Sequence, residues 1–289
     1  MKISALLLAT AAAVFSAGDG AAADLSVKVL SFNIRYGTAA DGANAWPHRQ
    51  EMVFEVIRTQ QPDFCGLQEA LRFQIDAIRK AVPEYAEYGC GRDDGKTQGE
   101  YSAILYREDR WKPDRGETLW LSDTPEQPGS ASWGNTIPRI VTWGRFVDKQ
   151  TGRALCVFNT HFDHQSQPSR VKSAEFLAKL IARQGRDTPM ILTGDFNAGE
   201  RNPAIEHLKR PDENASARLV DTFRALHPEA ESVGTFNGFE GRTDGEKIDY
   251  IFADPSVRVT SAEILRTHRD SRYPSDHFPV NAEVVFPDQ

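Results

Sequence analysis

The segment PMILTGDFNAGE (Pro189–Glu200) carries an apolar run, Met190 to Leu192, straight into Asp195 and Asn197. The same arrangement recurs along the chain. Asn33 closes LSVKVLSFNI, and Glu69 ends DFCGLQEA. RALCVFNTHFDH ends in Asn159, His161, Asp163 and His164, Asp249 sits in EKIDYIF, and Asp276 and His277 precede a last apolar run. These are carboxylates, carboxamides and imidazoles, the groups that ligate a hard divalent cation and move protons. A polar side chain at the end of a buried strand costs free energy unless it has a partner. One such end is unremarkable, since Gly-Asp-Phe-Asn is good turn chemistry in which Asp and Asn bond their own backbone. Five or six of them, gathered on one edge of a sheet, would form a cleft.

The elements that must position these groups alternate in type. Leu25–Ile34 alternates with period two, as a half-buried strand does. PHRQEMVFEVIRTQQP places Pro47 at a first helical position, sets Met52, Val53, Val56 and Ile57 on one face, and stops before Pro62. Leu71, Ile75, Ile78 and Val82 repeat at helical spacing after the Glu69 strand, as do Val171, Ala174, Leu177, Ala178 and Ile181 before Met190. Further strands are expected at Tyr101–Tyr106, Ile140–Phe146 and Ala154–Thr160, and in KIDYIFAD, SVRVTSAEIL and FPVNAEVVF. Gly89–Glu100 and Ser122–Pro138 are turn-rich and read as surface loops. With no repeat and no long linker, the pattern predicts one domain of mixed α/β type.

Composition narrows the class. The 289 residues are 40% hydrophobic and 26% charged, as in ordinary globular proteins. Residues 1–23 read as an export leader: Lys2, an apolar stretch from Ile3 to Phe15, then Ala21-Ala22-Ala23 as the cleavage site. The apolar stretch is too short for a membrane anchor, no Cys follows it for a lipid, and no later segment is long enough to span a bilayer. Cleavage would leave 289 − 23 = 266 residues, still at a formal charge of −7 because Lys2 and Asp19 cancel. That charge disfavours nonspecific binding to nucleic acid. Three cysteines (Cys65, Cys90, Cys156) exclude a disulfide scaffold.

SFNIRYG, GLQEA, NTHFDH, GDFNA, KIDYIF and SDHFPV, in this order, resemble the endonuclease/exonuclease/phosphatase (DNase I-like) superfamily. The likeness runs from Leu25 to Phe286. GEYSAILYRED and IPRIVTWGRF look most like a bacterial exported branch near the deadenylase-like members. The resemblance implies a four-layer α/β/β/α sandwich with two mixed β-sheets, filling residues 24–289 as one catalytic domain.

It also implies roles. Glu69 would hold magnesium, or manganese in its place, with Asn33 beside it and Asp276 completing the site from the other side. Taken alone, Glu69 also suits the N-terminus of the following helix. Asp195 would take a proton from, or orient, the attacking water, and Asn197 would bind the phosphate or position Asp195. His161 and His277 would donate hydrogen bonds to the phosphoryl oxygens, and Asp249 would pair with His277. Of Glu100 and Tyr101, one would pair with His161 and the other reach the phosphate, although a plain strand start explains both. Arg139 would contact the phosphate unless it is a surface ion-pair partner. Asp163 and His164 extend the His161 loop on the substrate side, and without thiolates or clustered imidazoles their spacing is no zinc signature. Trp46, Trp133 and Trp143 read equally as stacking platforms and as core anchors.

Two departures bear on substrate. Arg35 stands where abasic-site endonucleases of this family carry an acid, and Lys247-Ile248-Asp249 replaces the inositol 5-phosphatase signature. The expectation is an exported, periplasmic or secreted, metal-dependent phosphoesterase acting on a phosphate mono- or diester. A phosphorylated small molecule is the favoured partner. The alternatives are a secreted nuclease and a catalytically silent binding protein on the same scaffold. Oligomeric state is not legible.

Overall fold

A computed structural model describes residues 24–185, 188–210 and 219–287; the expected leader, residues 1–23, lies outside them. The first strand, β1 (Leu25–Asn33), shows why layers form. Its period of two sends Val27 and Val29 to one face and Leu30 and Phe32 to the other, and both faces are buried. A strand buried on both sides must lie in an inner layer.

The remaining elements follow in order: α1 (Trp46–Gln60), β2 (Phe64–Ala70), α2 (Arg72–Ala81), β3 (Tyr85–Tyr88), β4 (Tyr101–Arg107), β5 (Trp111–Trp120) and β6 (Ile140–Asp148). Then come β7 (Ala154–His161), α3 (Gln167–Gln184), β8 (Met190–Asp195), α4 (Pro203–Lys209), β9 (Val220–Asp221), α5 (Thr222–Leu226), β10 (Asp249–Ala253), β11 (Arg258–Ile264) and β12 (Val280–Phe286). They build two six-stranded sheets, ordered β11-β12-β1-β2-β4-β3 and β5-β6-β7-β8-β10-β9. Both are mixed, since β1–β2 and β7–β8 are parallel and the other neighbours antiparallel.

Three apolar layers hold the molecule together. Val53, Ile57, Ile75 and Ile78 of α1 and α2 pack on the outer face of the first sheet. Leu177, Ile181, Ile205 and Leu208 of α3 and α4 pack on the outer face of the second. Between the sheets lie Val27, Val29, Phe64 and Ile104 against Phe146, Val157, Ile191 and Ile251. Each such side chain, fully buried, contributes about 1.5–3 kcal/mol. This is the expected α/β/β/α sandwich. Among the described residues, no helix is long and apolar enough to cross a membrane.

Toward one edge the middle layer turns polar. Asn159 Nδ2 donates to Leu67 O (2.8 Å) and Ala103 O (2.9 Å) of the opposite sheet, while its Oδ1 accepts from Gln68 Nε2 and Thr193 Oγ1. Gly66 is required there, because a Cβ would fall 2.1 Å from Thr193 Oγ1. The two sheets therefore meet in fixed register beside the site.

The two turn-rich loops are as expected. The strand β5 was not legible: Lys112, Asp114, Arg115 and Glu117 hide its pattern, and Pro113 interrupts it at a register shift against β6. Charge, proline and irregularity are what an edge strand carries.

Candidate active site

The topology brings the polar strand ends to one edge. Asn33, Glu69, His161 and Asp195 sit at or near the C-terminal ends of β1, β2, β7 and β8, while Asp249 opens β10, which runs the other way. In the ladder Asp195 lies between His161 and Asp249. Asp276 and His277 precede β12, antiparallel to β1. The cleft at this edge measures ≈ 520 Å³, within the usual range for small-ligand sites.

Backbone strain marks the same place. Arg35, Glu69 and Asn197 adopt φ of 55°, 59° and 46°, a region that costs non-glycine residues free energy and persists where the surroundings impose it. At Glu69 the pairing of β2 with β4 slips between Leu67 and Ala70, and such a bulge re-aims a side chain.

Asp195, 1% exposed, is the centre of the network. Its Oδ1 accepts the Asn197 N–H (2.9 Å) and its Oδ2 accepts Asn33 Nδ2 (2.9 Å). His161 Nε2 and His277 Nε2 stand 3.5 and 3.8 Å from Oδ2. Burial, together with the charge of Asp249, pushes the Asp195 carboxyl up to about 7 against the pull of His277 and its hydrogen bonds. A carboxylate so placed is a base matched to neutral pH.

The two histidines differ in charge. His277 Nδ1 lies 2.9 Å from Asp249 Oδ2. Burial acts to lower its pKa, but Asp249 and then Asp195 outweigh that and hold it well above the ordinary imidazole value. His161 is held well below that value, by burial and then by Arg139 and Arg92. Asn197 Nδ2 donates to Phe162 O (3.1 Å), which fixes the amide so that it also donates to His161 Nε2 (3.0 Å). Neutral His161 therefore carries its proton on Nδ1.

Asn33 Nδ2 also donates to Glu69 Oε1 (3.0 Å), and its Oδ1 accepts the Arg35 N–H. Glu69 Oε2 accepts the Tyr36 N–H. Asp276 is pushed up by burial, with the Glu69 charge adding to it against His277. Two acidic side chains lining one cleft with this mutual repulsion fit a hard divalent cation. Asp195, Asp249 and His277 also bring ligand atoms within 4.8 Å of one another. There, however, the imidazolium already supplies the positive charge, so Glu69 and Asp276 are the better cation pair.

Arg139 is 3% exposed rather than a surface residue. Its Nε lies 3.4 Å from Asp163 Oδ2 and its Nη2 2.9 Å from His164 Nδ1. Both Arg139 and His164 line the cleft. Asp163 supports Arg139 and accepts the Gln165 and Ser166 N–H groups ahead of α3. Glu100 lines the cleft but makes a two-pronged pair with Arg92 (2.7 and 2.8 Å), not with His161. Tyr101 lies in the layer under α2, donating from its hydroxyl to Lys96 O (2.9 Å). Trp46 and Trp143 are core residues.

Of the twelve expected site residues, nine line the cleft, Asn33 and Asp249 touch those that do, and Tyr101 stands apart. Sequence reasoning missed Arg92, hidden in a loop read only as turn, and Phe236, which is 47% exposed and edge-on to His277 at 5.2 Å. An exposed aromatic at a cleft has no signature in one sequence.

Comparison with known proteins gives the same frame. The Endonuclease/Exonuclease/phosphatase family pattern matches residues 30–277. A solved protein of that family from Bacteroides thetaiotaomicron is 34% identical, with a TM-score of 0.83 over 92% of this chain and 100% of its own. The mannosyl-6-phosphatase of the same organism is also 34% identical, with a TM-score of 0.80 over 90% of this chain and 100% of its own. Nocturnin of Drosophila melanogaster is 27% identical over 87% of this chain, which spans only 45% of Nocturnin's length.

Proposed function

The chain belongs to the endonuclease/exonuclease/phosphatase family, and from that premise we propose that it is an exported, metal-dependent hydrolase of a phosphorylated small molecule. The observation that carries the reading is Asp195, a buried carboxylate poised near neutrality beside a cationic histidine.

In the proposed reaction a water oxygen attacks phosphorus, its proton passes to Asp195 Oδ2, and the bond from phosphorus to the leaving oxygen breaks as that oxygen takes up a proton from solvent. Asn33 and the Asn197 N–H hold the two carboxylate oxygens, so the base is oriented before substrate arrives. His277, charged and braced by Asp249, faces the negative charge that grows on the phosphoryl oxygens. His161 braces Asn197 and offers its Nδ1–H. Arg139, held by Asp163 and His164, binds the phosphate. Glu69 and Asp276 would hold a divalent cation, magnesium by its preference for carboxylate oxygens, which supplies Lewis-acid stabilisation of the phosphoryl group.

A cleft of ≈ 520 Å³ suits a small molecule, and Phe236 offers an apolar face to a ring in the leaving group. Similarity to the mannosyl-6-phosphatase supports a phosphorylated sugar. Export rests on the leader-like residues 1–23 and is checked by the N-terminal sequence of the mature protein. The activity is tested by hydrolysis of phosphorylated sugars with magnesium, with chelator and with Asp195→Asn. Phosphate release that both controls abolish supports the reading. Release that survives Asp195→Asn rejects it.

A further inference from the structure

Three buried nitrogen donors on residues that line the cleft have no hydrogen-bond partner among the described residues: Arg139 Nη1, His161 Nδ1 and Arg92 Nε. Buried donors are almost always paired in folded proteins, so three in one cleft require an explanation. The guanidinium groups are also rigidly held. Arg139 is fixed by Asp163 and His164. Arg92, 9% exposed, is gripped by both Glu100 oxygens, and its backbone carbonyl accepts Trp120 Nε1 (2.6 Å). Its Nε stands 3.9 Å from Asp93 Oδ1, beyond hydrogen-bond reach. Arg92 and Arg139 also repel each other: burial lowers the Arg92 pKa and the Arg139 charge adds to the effect, against Glu100. Each guanidinium already faces a carboxylate, Glu100 or Asp163, so what the cleft leaves open is N–H donors for the oxygens of an anion.

At neutral pH a phosphate monoester carries nearly two negative charges and three terminal oxygens. A diester phosphate carries one charge and two terminal oxygens. Three unfilled donors, two of them on preorganised guanidinium groups, match the monoester. We propose that Arg92 joins Arg139 and His161 in a subsite for a terminal phosphate, so that the substrate class is a phosphate monoester and Arg92 determines that preference. This rests on the phosphoesterase reading above and narrows it.

The test compares 4-nitrophenyl phosphate with methyl 4-nitrophenyl phosphate, which share a leaving group. The proteins are wild type and the double variant Arg92→Met/Glu100→Met, which removes the pair together and strands no buried carboxylate. Wild type is expected to prefer the monoester. The double variant is expected to lower the monoester-to-diester ratio of kcat/KM tenfold or more, the range for a lost charge-assisted hydrogen bond. Equal losses on both esters, or a wild-type preference for the diester, would overturn the proposal. Should the variant not fold, calorimetric titration of the wild type with inorganic phosphate and with dimethyl phosphate decides the matter. Phosphate binding at least tenfold tighter supports the subsite, and equal affinity rejects it. If folded wild type hydrolyses neither ester, the phosphoesterase reading is what fails, and the two titrations still decide the subsite.

Discussion

His277 Nδ1 and Asp249 Oδ2 lie 2.9 Å apart, both side chains almost fully buried, and the pair joins the loop before β12 to the start of β10 in the other sheet. The pair keeps His277 charged where burial alone would neutralise it. A histidine with a raised pKa keeps its charge until pH climbs through that raised value, so wild-type activity should hold well into the alkaline range. In Asp249→Asn the imidazole should lose its charge near neutrality. We expect kcat to fall on the order of a hundredfold at pH 8 and the alkaline limb of the pH profile to move toward neutral. A limb left where it is in the wild type would show that Asp249 does not control the charge.

Asp195→Asn separates activity from stability. Activity should drop on the order of a thousandfold or more, since the variant has no base. Folded Asp195 titrates at about 7 against an ordinary 3.8. Between those values the folded state keeps a proton that the unfolded state has released, so this residue costs stability as pH rises from about 4 to about 7. In chelator, the variant should melt a few degrees above wild type at pH 8, and the gap should close near pH 4. A variant that melts lower at pH 8 would contradict the raised carboxyl.

Arg49 is the structural counterpart of these residues. It is 2% exposed and donates to Asn44 O, Ile34 O, Arg35 O and Pro274 O, tying the end of β1 to the segment that carries Asp276 and His277. Burial pushes its pKa down to about 10, so it stays charged at neutral pH. Arg49→Met leaves four carbonyls without their donor and should cost about 3 kcal/mol or more, read as a fall in Tm of roughly 6 °C or more. Arg49→Lys should rescue little, because one ammonium cannot span the four carbonyls that the planar fork reaches. A melting temperature unchanged in Arg49→Met would show that the tie is dispensable.

What was legible in the sequence follows from range. Asp195, Asn197 and Glu69 could be read because each breaks a local apolar pattern at a strand end, and the six-motif resemblance placed them in one fold. Asn159 breaks its strand in the same way, yet it faces the opposite sheet and staples Leu67 and Ala103. Only the register between sheets separates the two fates. Arg92 and Arg49 were silent because their roles depend on partners brought close by folding: the cleft for one, four carbonyls for the other. Glu100 lines the cleft, but its pairing with Arg92 was not legible, since Arg92 reaches it across a loop whose closing pattern is not encoded in periodicity.

Glu69 and Asp276 make the cation requirement testable apart from catalysis. The Asp276 carboxyl is pushed up by burial, and the Glu69 charge adds to it. A bound divalent cation removes that repulsion, so wild type should gain thermal stability on addition of magnesium or manganese. Glu69→Gln takes away one charged ligand and, with it, the repulsion between the two side chains. The variant should need at least tenfold more magnesium for half-maximal activity, and its melting temperature should respond less to the metal. In chelator its stability should stay close to that of wild type: the side-chain oxygen can still accept from Asn33 Nδ2, and relief of the repulsion offsets the lost bond from the Tyr36 N–H. Equal magnesium dependence in the two proteins would place the cation elsewhere, with Asp195, Asp249 and His277 the next group to vary.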